Sequence, residues 1–148
     1  MKIFYIGKPS SGAFKELEAH YTKLIRSFGS IELKPIFNSQ IEKSQKISRE
    51  QAQSAYSKAF IRSDGFKIAL TERGKNLDSF KFADLMANHQ NISFFIGGAY
   101  GLEDSFVDSC NFALSLSALT FSHDLARTVL LEQIYRALAI SNNHPYHK

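Results

Sequence analysis

The 148-residue chain has one cysteine, Cys110, three prolines and no apolar run near the length of about 18 residues that crosses a bilayer. A lone cysteine excludes an internal disulfide and agrees with a reducing cytosol, and the missing apolar run argues against a membrane span. The opening residues Met1-Lys2-Ile3-Phe4-Tyr5-Ile6-Gly7 carry one cation and a short apolar stretch without a long apolar region or a small-residue cleavage site. They read as a first strand and not as a secretion signal. Common ligand motifs are missing as well. Gly97-Gly98-Ala99-Tyr100-Gly101 has neither the Gly-x-Gly-x-x-Gly spacing of a dinucleotide site nor the Gly-Lys-Ser/Thr of a P-loop, which weakens nicotinamide and ATP readings. Cys110, His123, His144 and His147 include no Cys pair and no helical His-x-x-x-His, so no metal is expected.

Hydrophobic residues make up 44% and charged residues 22%, which is the balance of a soluble globular chain. At this size about 70% of the unfolded surface can be buried, enough for one core, so residues 1–148 are expected to form a single domain. The net charge of +4 is unevenly placed: residues 1–75 carry 14 Lys and Arg against 7 Asp and Glu, while residues 76–148 carry 4 against 7. The basic half suits salt-dependent contact with nucleic acid phosphates, although a solvated positive face has the same composition.

Strand and helix patterns alternate along the chain. Lys2 to Gly7 reads as a strand, and Ser10 or Ser11 as the cap of a helix whose stripe of Phe14, Leu17, Tyr21, Leu24, Ile25 and Phe28 runs to Gly29. Ile31 to Phe37 alternates with period two, and Pro35 inside it indicates an edge position or an early end to the strand. Residues 38–47 are polar and aperiodic, which predicts an exposed, movable loop. Ser48-Arg49-Glu50-Gln51 fits a capping box for a helix that stops near Asp64-Gly65. Phe66 to Leu70 is a strand, Thr71 to Asn76 a polar loop bent at Gly74, and Ser79 or Asp78 caps the next helix. Ile92 to Ile96 is the most apolar strand and runs into the glycine loop; a short helix near Glu103 to Cys110 and a fifth strand, Phe112 to Leu116, follow. Asp124 is expected to cap a last helix, Leu125 to Ile140, with apolar residues on two sides. A helix apolar on two sides is buried on two sides, one on the sheet and the other on a second copy, which predicts a homodimer. The whole is an α/β domain with a parallel sheet flanked by helices, its ligands beyond the C-terminal strand ends.

The chemistry is expected in the small-residue loop Ser115 to His123 and in the tail Asn143 to Lys148. Glu132 and Arg136 are spaced as an i, i+4 helix pair. Arg127, one turn past His123, is a salt-bridge partner or a substrate clamp; the polar groups of the neighbouring loop favour the clamp.

Four ordered segments carry a resemblance: Phe95-Ile96-Gly97-Gly98-Ala99-Tyr100-Gly101-Leu102, Leu116-Ser117-Ala118-Leu119-Thr120-Phe121-Ser122-His123, Leu131-Glu132-Gln133-Ile134-Tyr135-Arg136-Ala137 and His144-Pro145-Tyr146-His147-Lys148. Together they resemble the RlmH family, small SPOUT-class enzymes that methylate N3 of a pseudouridine in 23S ribosomal RNA. The resemblance implies a SPOUT-type α/β knot with a C-terminal trefoil knot, a cytoplasmic homodimer and S-adenosylmethionine as methyl donor. It implies cofactor contacts at Leu70, Gly97, Leu116, Ser117, Ala118, Leu119, Thr120 and Phe121. Its substrate is 23S rRNA in the assembled ribosome, with Lys43, Lys46, Arg73 and Lys75 as candidate phosphate contacts. His123, Tyr146 and His147 are candidates to supply or relay the base that removes the imide proton, and Arg127 or Arg136 to steady the negative charge. Two positions depart from the family pattern: Thr71 stands where an acidic residue is common, and Ser122 where a proline is, which predicts a more mobile loop before His123. The rival reading is a non-catalytic RNA- or ribosome-binding module that retains the fold.

Overall fold

The computed structural model of the chain describes residues 1–60 and 65–147. Its elements are β1 (Lys2–Ile6), α1 (Gly12–Ile25), β2 (Glu32–Ile36), α2 (Ser39–Ile47), α3 (Arg49–Phe60), β3 (Lys67–Asn76), α4 (Ser79–Ala87), β4 (Ser93–Ile96), α5 (Asp104–Ser109), β5 (Phe112–Ser115) and α6 (His123–Ser141). The five strands pair in parallel in the order β2-β1-β4-β3-β5, and the Pro35 strand lies at an edge as its missing N–H requires. β4 is buried at every position, which explains its unbroken apolar sequence.

Alternation along the strands divides the core into two layers. Ile3, Tyr5, Ile68, Phe94 and Ile96 face Ile25 of α1, Phe82 and Met86 of α4, and Leu130, Leu131 and Ile134 of α6. Ile6, Ala69 and Phe95 face Ile41, Ala52, Tyr56, Phe60 and Phe106 from α2, α3 and α5. The result is a parallel sheet between two helical layers.

Several expectations change here. Residues 38–47 are mostly helix rather than loop: Asn38 caps α2 by accepting from the Ile41 N–H at 2.9 Å, and Ile41 and Ser44 turn inward. Ser48 caps α3 by accepting from Gln51 N–H at 3.2 Å, and the expected end of this helix near Asp64 lies outside the described residues. Asp78, not Ser79, caps α4, accepting from Lys81 N–H at 2.8 Å. Thr71 to Asn76 is not a free loop: β3 continues through it, bows out after Leu70 and returns so that Lys75 and Asn76 pair with Leu114 and Ser115. Gly74 allows this, because a Cβ there would lie 2.6 Å from the Leu114 carbonyl carbon.

Ser122, not Asp124, takes the N-cap position of α6, and its φ of −62° is one that a proline would also adopt. α6 lies against α1 and α4, so its apolar sides are covered by the sheet and these helices within one chain. The two-sided pattern therefore gives no argument for a second copy. Leu125 remains 40% exposed on its outer side.

Candidate functional site

A cavity of about 360 Å³ opens beyond the C-terminal ends of β4 and β5 and beside the bow of β3 after Leu70, within the usual range for small-molecule sites. Its apolar wall is Leu70, Ile96, Leu114, Leu116 and Phe121; Gly97 to Gly101 form another side, and Ser117, Leu119, Thr120, His123 and Ala126 complete it. Of the positions expected to touch a cofactor, all but Ala118 line it. Arg49, Glu72 and Tyr100 also line it; the residue types alone gave no signal for the first two, which come from a helix start and from the extension of β3.

Local hydrogen bonds explain the loop shapes. Gly101 N–H donates to Gly98 O at 2.9 Å with Gly101 at φ 70°, and a Cβ on Gly97 would lie 2.6 Å from the Gly101 carbonyl carbon. Strand β4 can therefore turn sharply and expose backbone only because glycine stands at these places. In the second loop Ser117 Oγ accepts from Leu119 N–H at 2.9 Å, Ser115 Oγ donates to Ser117 O at 2.9 Å, and Asn76 Nδ2 donates to Ser115 O at 3.3 Å. The serines thus hold the loop by short-range turns. Leu119 is left 74% exposed on the rim, an apolar group with nothing over it in a single chain.

His123 lies at the first turn of α6 on the cavity rim. Desolvation by the surrounding wall lowers its pKa from the ordinary histidine value, Arg127 adds to the effect and Asp124 opposes it. The ring is therefore neutral at physiological pH and has a nitrogen free to accept a proton.

Arg127 does not line the cavity. It is 1% exposed, and its Nε donates to Glu18 Oε1 at 2.5 Å while Nη2 donates to Asp124 Oδ1 at 2.6 Å and to Ser10 Oγ. The guanidinium also stacks over Tyr5, 3.8 Å from the ring centroid. Nε, Nη2 and one face of the guanidinium are engaged, so it ties α6 to α1 and β1 and holds the His123 end of the helix in place.

The tail is tied down. Asn143 at φ 53° turns the chain out of α6, with Asn143 N–H donating to Ile140 O and His144 N–H to Ala139 O at 2.8 Å, the paired bonds of a Schellman stop. Tyr146 packs 4.6 Å from Tyr135 and its hydroxyl donates to Glu132 Oε1 at 3.0 Å. Arg136 Nη2 donates to the same oxygen at 2.5 Å, its guanidinium lies 4.8 Å from the Tyr146 ring, and its Nη1 is 3.3 Å from His147 Nδ1. His147 sits edge-on to Phe80 at 4.9 Å. Burial, with the Glu132 carboxylate adding to it, pushes the Tyr146 hydroxyl up to about 12, so this group is a hydrogen-bond donor and not a base at neutral pH.

These two clusters are separate within one chain. His123 and Glu132 are about 13 Å apart along the helix axis, and neither Tyr146 nor His147 lines the cavity. The candidate phosphate contacts also divide. Lys46 pairs with Glu42 at 3.1 Å and Arg73 pairs with Asp104, whereas Lys43 and Lys75 are exposed. Burial pushes the Cys110 thiol up to about 11, which makes it a poor nucleophile. Among the described residues, no group of three His, Cys, Asp or Glu side chains is placed to hold a metal, and no helix is long and apolar enough to cross a membrane.

The whole chain has counterparts. Residues 1–147 match the family model described as predicted SPOUT methyltransferase. The ribosomal RNA large subunit methyltransferase H of a Nitratiruptor species is 51% identical over 149 residues, covering 99% of this chain and 97% of that protein. The protein of the same name from Wolinella succinogenes is 47% identical over 152 residues, covering 100% and 99%. Among solved structures, the "probable methylase family protein" of Haemophilus influenzae superposes with a TM-score of 0.58 at 14% identity, covering 99% of this chain and 70% of that one. That likeness concerns the fold.

Proposed function

The chain belongs to the SPOUT methyltransferase family, and from that premise we propose that it methylates large-subunit ribosomal RNA with S-adenosylmethionine as donor. The observation that carries this reading is the cavity at the C-terminal strand ends, whose lining takes in seven of the eight positions expected to touch the donor. Its residues suit the group. An apolar wall of Leu70, Ile96, Leu116 and Phe121 fits a purine ring, and the exposed backbone of the glycine and serine loops offers the polar contacts that fix its orientation. When bound, the donor supplies an electrophilic methyl group.

The finer reading is N3 of a pseudouridine in 23S rRNA, on the assembled ribosome, by a cytoplasmic homodimer of one SPOUT domain per chain, its C-terminal part knotted. N3 is a weakly acidic imide nitrogen that attacks only after losing its proton. His123, neutral and on the cavity rim, accepts or relays that proton. Arg136, held on Glu132, supplies the cation that steadies the negative charge gained by the base oxygens, and Tyr146, whose hydroxyl donates to the same carboxylate, packs on the guanidinium and fixes its place. Arg127 works behind them as a positioning group. In a homodimer, the tail of one protomer completes the cavity of the other, which reconciles the separation of the two clusters within one chain. Lys43 and Lys75 are the exposed cations left to meet phosphates, and their contribution falls as salt rises.

The test is mass mapping of 23S rRNA from a deletion strain, followed by incubation of its ribosomes, and separately of its naked rRNA, with the purified protein and labelled donor. A missing methyl group on one pseudouridine, restored on ribosomes and not on naked rRNA, is the expected result. An unchanged modification map rules the activity out, and calorimetry without donor binding rules out the cofactor.

A further inference from the structure

The cavity lining includes two formally charged side chains that the mechanism above leaves unused, Arg49 and Glu72. Both are exposed, and neither side chain makes an ion pair or a hydrogen bond among the described residues.

Each is carried on backbone that is firmly held. Arg49 opens α3 and shares one helix face with Gln53 and Ser57, four and eight residues on. Gln53 Nε2 donates to Tyr100 O at 2.9 Å and to Leu102 O at 3.2 Å, and Ser57 Oγ donates to Glu103 Oε2 at 2.9 Å. That face is thus fastened to the glycine loop, and its first turn delivers Arg49 to the cavity. Glu72 lies two residues beyond Leu70 in the bowed part of β3. Its neighbour Arg73 donates to both carboxylate oxygens of Asp104, and Gly74 seats the strand against β5. Arg73 is thereby directed to α5, which leaves the Glu72 carboxylate to the cavity.

The signs of the two charges select the ligand. A lone arginine would suit an RNA phosphate, but a carboxylate in the same cavity would repel that phosphate. One cation and one anion lining a single cavity match a zwitterion, and the methyl donor ends in one: the α-carboxylate and α-ammonium of its methionyl part. We infer that Arg49 binds this carboxylate and Glu72 this ammonium. The inference rests on the cofactor reading and extends it to the end of the donor that an apolar wall cannot recognise. The same contacts hold the demethylated product, S-adenosylhomocysteine, which keeps the amino-acid end.

Calorimetry separates this end from the rest of the molecule. S-adenosylhomocysteine and 5′-methylthioadenosine are both neutral thioethers of adenosine, and only the first carries the amino-acid end. An exposed ion pair at the upper end of its range is worth about fivefold in a binding constant. Arg49→Gln and Glu72→Gln are each expected to weaken S-adenosylhomocysteine by about that factor and to leave 5′-methylthioadenosine unchanged. Equal weakening of both ligands, or none of either, overturns the inference while leaving the cofactor reading intact. An unchanged ratio with a raised KM for ribosomes assigns Arg49 to RNA and overturns it too. A wild-type protein that binds neither ligand overturns the cofactor reading and this inference with it.

Discussion

Removing Glu18 is the sharpest test of how the site is supported. Its carboxylate is 6% exposed and takes the Arg127 Nε–H at 2.5 Å, with Ser10 Oγ donating to the same oxygen at 2.8 Å. Glu18→Ala leaves a 1% exposed guanidinium with Asp124 as its remaining anion, and breaking a buried pair from one side costs about 3–5 kcal/mol. Against a domain stability of about 5–15 kcal/mol this is a large fraction. With an m value of about 2 kcal/mol/M, the urea midpoint should fall by about 2 M, measured by circular dichroism at one fixed protein concentration. Glu18→Gln keeps an acceptor and should lose less, and it carries the test if the alanine variant does not fold. Arg127 stands one turn after His123 and next to Ala126, both of which line the cavity, so the glutamine variant should also bind donor more weakly. A loss below about 1 kcal/mol for Glu18→Ala, the size of an exposed pair, would refute the view that this cluster anchors α6.

Three further outcomes are expected. The pKa of His123 lies below its unfolded value of about 6.5, so the unfolded chain binds the proton first and stability falls as pH drops through that value toward the lowered one. His123→Asn should flatten that acid decline in urea midpoints, and an unchanged decline would place the responsible group elsewhere. Because the Tyr146 hydroxyl stays protonated until about pH 12, kcat/KM should show no tyrosine limb between about pH 7 and 10. Tyr146→Phe should lower stability by about 1.5 kcal/mol through the lost bond to Glu132, read as a lower urea midpoint, and should lower kcat/KM as Arg136 loses its support; full activity in this variant would remove the hydroxyl from the site. Mixed dimers of a Tyr146→Phe chain and a Gly97→Ala chain should regain one working site of two, whereas activity no better than either parent would mean that sites are not shared.

Much of the fold was legible because periodicity follows burial. The apolar run of β4 and the stripe of α1 are each read from side chains that must leave water. What was missed is held by backbone. α2 buries only Ile41 and Ser44 in nine residues, too few for a visible period, and its start depends on one Asn38 hydrogen bond. The polar run Thr71 to Asn76 is strand because Lys75 and Asn76 return to β5, a long-range pairing that no local propensity encodes. At the site, seven of the eight positions singled out through the ordered motif line the cavity, with Ala118 outside it. Arg127 was not legible, since an arginine buried against Glu18, 109 residues away, looks in sequence like one facing a ligand.

The same limit bears on the second copy. The apolar sides of α6 suggested a partner, yet α1 and α4 cover them. A stronger reason comes from placement. His123 on the cavity rim and Glu132, which gathers Arg136 and the tail residue Tyr146, lie about 13 Å apart along α6. If both act on one nucleotide, as proposed, the second set must come from another chain. Leu119, 74% exposed on the cavity rim, and Leu125, 40% exposed at the same end of α6, are apolar groups where that chain would lie. The proposed dimer is therefore a condition for assembling the site, and its disruption should abolish methyl transfer while leaving the cavity of each chain able to bind donor.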